Sequence, residues 1–177
     1  TEDVRASTPL PPWSNSAMDG FALLASDTTQ AESNTSDDLC INPGSNPSQG
    51  AHLAITETIA AGQIGAHPIT PGTAARIMTG APIPDGADSV IMREQTSADE
   101  THVHIHRRVS PGQNIRVQGE DVSAGELVLS SGSVLTPSAL GLCAAVGRAT
   151  VSVAKQPTVA IVSTGNEIVT PGNALKP

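Results

Sequence analysis

Ser16-Ala17-Met18-Asp19-Gly20-Phe21 strands a carboxylate between a Met suited to burial and a Gly able to turn the chain sharply, so it reads as a loop that displays one acid. Three further Gly-centred strings follow: Arg76-Ile77-Met78-Thr79-Gly80-Ala81-Pro82, then Asn114-Ile115-Arg116 running on to Gly119-Glu120-Asp121, then Ser163-Thr164-Gly165-Asn166-Glu167. In each, Gly permits backbone angles that other residues resist, polar side chains stand beside it, and flanking apolar residues anchor the ends. A single Asp-Gly or Thr-Gly is an ordinary turn signal. Four such strings demand a frame that can hold loops, and the intervening sequence reads as short β-strands.

Residues 53–59 alternate apolar and polar positions, and 73–78 and 89–92 are short runs suited to strands. Between the last two, 79–88 holds Pro82, Pro84 and Gly86 and cannot be a regular element. Residues 1–14 end in Pro9, Pro11 and Pro12, which predicts a short strand and then an extended linker. Residues 26–50 have the composition of a solvated loop. The run Thr101-His102-Val103-His104-Ile105-His106 predicts a strand with three His on one face and Val103 and Ile105 on the other. Zinc would need further ligands, a closed shell and a pocket, none of which the sequence indicates, so a solvated strand face is expected there.

Further along, 126–130 and 133–136 flank Ser131-Gly132 and predict a hairpin. Thr136 can cap a helix that starts at Pro137 and stops at Gly147, with Leu140, Cys143 and Ala144 on one side and a return strand at 150–153. The continuous apolar run 158–162 predicts a strand buried on both faces, feeding the fourth string and opening an α/β unit. The expected fold class is therefore mainly β with minor α, a β-rich α+β chain.

In 177 residues there is room for a real core, but one Trp, one Phe and no Tyr mean that Val, Ile, Leu and Ala must fill it. Nine Lys plus Arg against 17 Asp plus Glu leave a net charge of -8, which argues against nucleic acid and against an anionic membrane surface as partners. Cys40 and Cys143 stand outside any Cys-x-x-Cys pattern and read as reduced thiols of a cytoplasmic protein. No signal peptide or membrane-spanning run is evident.

The four strings, in this order, resemble those of the molybdopterin molybdenumtransferase family, the MoeA and gephyrin-type enzymes, and the resemblance covers nearly the whole chain. It implies two interleaved β-rich domains: residues 1–13 with 109–156 as one, and the inserted 14–108, carrying the first two strings, as the other. Residues 157–177 would begin a truncated α/β molybdopterin-binding domain. The implied function is molybdenum cofactor biosynthesis. Molybdate replaces the adenylyl group of adenylylated molybdopterin, AMP leaves, and Mg2+ favours the reaction. The implied assembly is a homodimer, with the molybdopterin adenylyltransferase that supplies the substrate as a further partner. Carboxylate-held metal would reconcile an acidic chain with anionic ligands.

By the same resemblance, Asp19, Thr79 and Asp121 are expected to be catalytic, Arg116, Ser163, Thr164 and Glu167 to bind the cofactor, and Asp19 and Glu167 to meet the metal. Such chemistry needs no protein nucleophile, so positioning residues should dominate. The residues themselves leave alternatives. Asp19 can cap its own turn, and Thr79 can offer a hydroxyl and a backbone N–H to an oxyanion or merely form a turn. Arg116 can bind phosphate or pair with Asp121, with Glu120 a solvated neighbour. Asn166 stands where many members have Asp. The family's later Gly-rich, Lys-bearing and Pro-Gly segments have no counterpart, so this chain alone is expected not to insert molybdate. Two rival readings are a gephyrin-type scaffold, for which the chain has few aromatic anchors, and a metal-dependent phosphohydrolase using Asp19 and Asp121.

Overall fold

The computed structural model describes residues 2–29 and 50–174; Cys40 and most of the expected loop at 26–50 lie outside them. The strands are β1 (Val4–Arg5), β2 (Asn15–Ser16), β3 (Gly20–Leu23), β4 (Ala51–Ile59), β5 (Thr73–Ile77), β6 (Ser89–Met92), β7 (Thr96–Ala98), β8 (His102–Ile105), β9 (Ile115–Arg116) and β10 (Leu127–Leu129), followed by one helix, α1 (Pro137–Ala145). Six of them form a sheet in the order β6-β3-β5-β4-β8-β7, antiparallel except for the parallel pair of β4 with β5. Two short pairs lie outside it, β1 with β10 and β2 with β9. The described residues are thus mainly β with one α-helix, as the sequence implies.

The sequence reading missed the short strands β2, β7 and β9 and, with most consequence for the core, β3. Gly20-Phe21-Ala22-Leu23 looks like the tail of a loop, yet all four residues are buried between β5 and β6. Alternation fails as a signal there because both faces of the strand are covered. Phe21 and Leu23 pack on one side with Leu53, Ile91, Val103 and Ile105. Ala22 packs on the other with Ile59, Ile77 and Val90. Each large side chain buried this way contributes roughly 1.5–3 kcal/mol of transfer free energy.

Helix α1 follows its sequence signals. Thr136 Oγ1 accepts from Ala139 N, Pro137 opens the first turn, and Gly147 takes a φ of 83°. There Gly147 N donates to Ala144 O and Arg148 N to Cys143 O, a Schellman end that requires the left-handed residue. Thr136→Ala is expected to cost about 1 kcal/mol by leaving that first-turn amide without its acceptor, read from urea denaturation.

Three expectations are corrected. Ser131-Gly132 does turn, with Ser133 N donating to Ser130 O, but no hairpin forms: β10 pairs with β1 instead, Val4 facing Leu129. The proposed return strand at 150–153 is irregular. Residues 158–162 form no strand either, with Val159 78%, Ile161 92% and Val162 79% exposed. A buried parallel strand needs neighbours on both edges and cover on both faces, and no described residue supplies them. The expected first strand of an α/β domain is therefore absent here.

Strand β8 alternates as its sequence requires, with Val103 and Ile105 fully buried and the His on the opposite face. His52, opposite His104 in β4, joins them: its ring stacks on His102 at 5.0 Å and lies 6.1 Å from His104, which meets His106 at 4.7 Å. Among the described residues no three His, Cys, Asp or Glu side chains converge as metal ligands. Burial first, and then the charges of His106 and His52, push the His104 imidazole below its ordinary 6.5. The unfolded chain thus binds the proton more readily, so stability is full above that value and falls as pH drops through it. Melting temperature should decline from pH 7 to pH 5, and less steeply in His104→Gln.

Candidate functional site

Strand β2 is the hub at which the first three strings meet. Its Asn15 and Ser16 are 8% and 1% exposed. On one side they pair with Arg116 and Ile115 of β9. On the other, Ser16 N donates to Ala81 O at 3.0 Å and Gly80 N to Ser16 O at 2.8 Å. Ala17 N, one residue on, donates to Asn114 O at 2.9 Å. Backbone pairing alone thus ties together three loops that are distant in sequence. The Ser16 hydroxyl then folds the chain over, donating to Met18 O at 2.6 Å and accepting from Met18 N at 3.3 Å. This turn lifts Met18, expected to be buried, to 41% exposure and presents Asp19 at the surface.

Asp19 does not cap its own turn. Its Oδ1 accepts from both Thr79 N and Thr79 Oγ1, each at 2.7 Å, while its backbone oxygen accepts from Arg93 N at 3.0 Å. The Thr79 amide, then the Thr79 hydroxyl, and least the Arg93 charge hold the Asp19 carboxyl below the usual carboxylate range. Directly after Thr79, Gly80 takes a φ of 82° and turns the chain toward Ala81, whose oxygen meets Ser16 N. Thr79 therefore spends its donors on Asp19, and the pair forms one exposed anionic feature. That pairing spans sixty residues, and no sequence signal announces it.

Arg116 and Asp121, read as either a phosphate site or an ion pair, form the pair. Arg116 Nη2 meets Asp121 Oδ2 at 2.6 Å. Glu120, expected to be a solvated neighbour, instead takes Arg116 Nε at 2.6 Å and Val117 N at 2.9 Å. Because Gly119, at φ 74°, folds the loop back on itself, both acids reach the one guanidinium, and together they raise its pKa. As placed, its Nε and Nη2 point at protein rather than ligand.

The fourth string stands apart. Ser163, Thr164 and Glu167 are exposed, and Ile168 N donates to Gly165 O at 3.2 Å to close a local turn. The Glu167 carboxylate lies over Gly165, within its own turn. The expected metal pair of Asp19 and Glu167 is not drawn together by any described hydrogen bond or strand pairing. With no convergent group of three ligands among the described residues, the side chains present do not build a metal cage. Of the two expected metal residues, Asp19 stands at the junction of the three loops and Glu167 in a separate turn.

Residues 1–147 match a family model described as the MoeA N-terminal region (domain I and II). The chain belongs to the MoeA family. It is 41% identical over 175 residues to molybdopterin molybdenumtransferase 2 of Mycobacterium tuberculosis, an alignment covering 99% of the chain and 40% of that relative. It is 36% identical over 180 residues to molybdopterin molybdenumtransferase of Bacillus subtilis, covering 99% and 39%. A crystal structure titled molybdopterin biosynthesis moea protein from Pyrococcus horikosii superposes with a TM-score of 0.80 at 33% identity, covering 99% of the chain and 41% of that structure. The chain thus spans about two fifths of the length of the relatives it matches. No helix among the described residues is long and apolar enough to cross a membrane.

Proposed function

We propose that this chain provides one wall of the active site of a molybdopterin molybdenumtransferase, which exchanges the adenylyl group of adenylylated molybdopterin for molybdate and releases AMP. The observation that carries the reading is the Asp19 carboxylate, held by two Thr79 donors that push its pKa below the usual carboxylate range, and displayed at the meeting point of three loops. Such an exchange gains from a fixed negative group that orients cationic partners of the phosphates. The described residues offer no cage of their own, so a magnesium ion would take most of its ligands from the substrate phosphates; Asp19 would be the protein carboxylate to meet it, and the ion would supply neutralisation of the leaving phosphate charge. The two Thr79 donors hold the acid's Oδ1 in place. Arg116 and Asp121 brace the third loop against the first through β9 and β2.

Met18 and Met78, directly before Asp19 and Thr79, are 41% and 37% exposed, so apolar surface flanks the acid. In our reading this face is closed by the pterin and by a second subunit of a homodimer, with Ser163, Thr164 and Glu167 serving a part of the pocket beyond the described sheet. Division into a unit of 1–13 with 109–156 and an inserted unit of 14–108 is supported by strand pairing: β1 joins β10, while the six-stranded sheet lies wholly between Gly20 and Ile105. Supply of substrate by a molybdopterin adenylyltransferase in the cytoplasm completes the proposal.

The test is a chimera in which this chain replaces the matching part of the Bacillus subtilis relative. Given adenylylated molybdopterin, molybdate and Mg2+, the chimera should release AMP only when molybdate is present, and the purified chain alone should release none. A chimera that melts cooperatively yet yields no molybdate-dependent AMP would sink the reading. So would turnover of simple phosphate esters by the chain alone.

A further inference from the structure

Asn114 is the one non-glycine residue with a positive φ, 56°, among the described residues. From that conformation it makes two hydrogen bonds that run in opposite directions through the molecule. Its side-chain Nδ2 donates to Val90 O of β6 at 2.9 Å, and its backbone oxygen accepts from Ala17 N at 2.9 Å. Val90 is fully buried in the main sheet, whereas Ala17 begins the turn that presents Asp19. The surrounding chain repeats the same attachment: Gly112 N donates to Asp88 O, and Val90 N donates to Gln113 O. Directly after Asn114, Ile115 and Arg116 pair with Ser16 and Asn15.

We propose that Asn114 is a positioning residue, which locks the Asp19–Thr79 pair to the six-stranded sheet by fixing the backbone that Ala17 and Ser16 lean on. Asn tolerates the left-handed region because its short amide can bond locally, and here that amide bonds to the sheet instead of to its own turn. Backbone bonds at Gly112 and Gln113 already tie the start of the loop to β6, and the Asn114 amide adds a tie at the very residue whose oxygen Ala17 N meets, so that acceptor is fixed relative to Val90. Past the acid, Asp19 O accepts from Arg93 N and Gly20 and Phe21 pair with Met92 and Ile91 of β6, so Asn114 braces the side of the turn that precedes the acid, which no sheet strand holds. The catalytic meaning of this brace rests on the function proposed above; the brace itself does not.

Two substitutions separate conformation from the amide bond. Asn114→Gly keeps the φ and loses the donor. Asn114→Asp keeps the shape and turns a carboxylate oxygen toward the Val90 carbonyl. In the isolated chain, hydrogen exchange of the Thr79 amide reports the pair directly, because that amide donates to Asp19 Oδ1. Both variants should remain folded, with Thr79 exchange rising about tenfold or more. Wild-type Thr79 exchange in both folded variants would overturn the proposal, because a purely conformational role is served by either. If a variant fails to fold, the other decides by the same readout, and Asn114→Ser, which keeps a smaller hydrogen-bonding group, replaces it if neither folds. In the chimera, kcat should fall with KM little changed. Faster Thr79 exchange with kcat intact would uphold the brace and remove Asp19 from the chemistry.

Discussion

Gly20→Ala is expected to destabilise the chain by on the order of 4 kcal/mol or more, enough to abolish cooperative folding. A Cβ at this position would overlap the Ile91 carbonyl oxygen and lie 2.9 Å from its carbon and 3.2 Å from Arg93 N. These are backbone atoms of the neighbouring strand and of the residue just beyond it, and they cannot rotate aside as a side chain would. Register holds them in place, with Gly20 opposite Met92 and Phe21 opposite Ile91. Separating β3 from β6 would loosen both halves of the core at once, because Phe21 and Leu23 belong to one cluster and Ala22 to the other. Gly62→Ala is the control: its φ is 82°, but nothing lies within 4 Å of the added Cβ, so only the left-handed penalty of roughly 1–2 kcal/mol applies. Urea denaturation of both variants checks this. A Gly20→Ala midpoint no lower than that of Gly62→Ala would refute the steric argument.

The same glycine shows where a sequence stops speaking. Strands β4, β5 and β6 lie close to the runs at 53–59, 73–78 and 89–92, because their composition or alternation reports a pleated, half-covered surface. Strand β3 carries no such mark: its neighbours bury both faces, and its first residue is Gly for the sake of an approaching carbonyl that only the fold reveals. Helix α1 was legible at both ends because Thr136, Pro137 and Gly147 act through bonds to residues a few positions away. The run at 158–162 shows the opposite failure, since apolar composition says that a segment wants cover but not where the cover comes from. In the site, Arg116 with Asp121 was readable as a local pair across one turn. Asp19 and Thr79 could each be singled out beside a Gly, but their bond depends on β2 being gripped between two loops, which is a fact of tertiary pairing.

Asp19→Asn should leave the fold intact and remove most of the activity. The side chain is exposed, and an amide oxygen can still accept from Thr79 N and Oγ1, so the geometry survives while the charge is lost. If a fixed negative charge at this point organises the reacting phosphates, molybdate-dependent AMP release by the chimera should fall on the order of 10²–10³-fold, the scale seen when a preorganised electrostatic group is deleted. Thr79→Val separates charge from placement. It deletes one of the two donors that lower the Asp19 pKa, which then rises back toward the ordinary 3.8. The carboxylate is still ionised at neutral pH, so any loss there measures misplacement alone and should be smaller than that of Asp19→Asn. On the acid side the sign is set: a depressed carboxyl pKa keeps activity as pH falls, so Thr79→Val should lose it at a higher pH than the parent. Equal AMP release by Asp19→Asn and the parent, with matching thermal melts, would show that the acid serves only to hold two loops together.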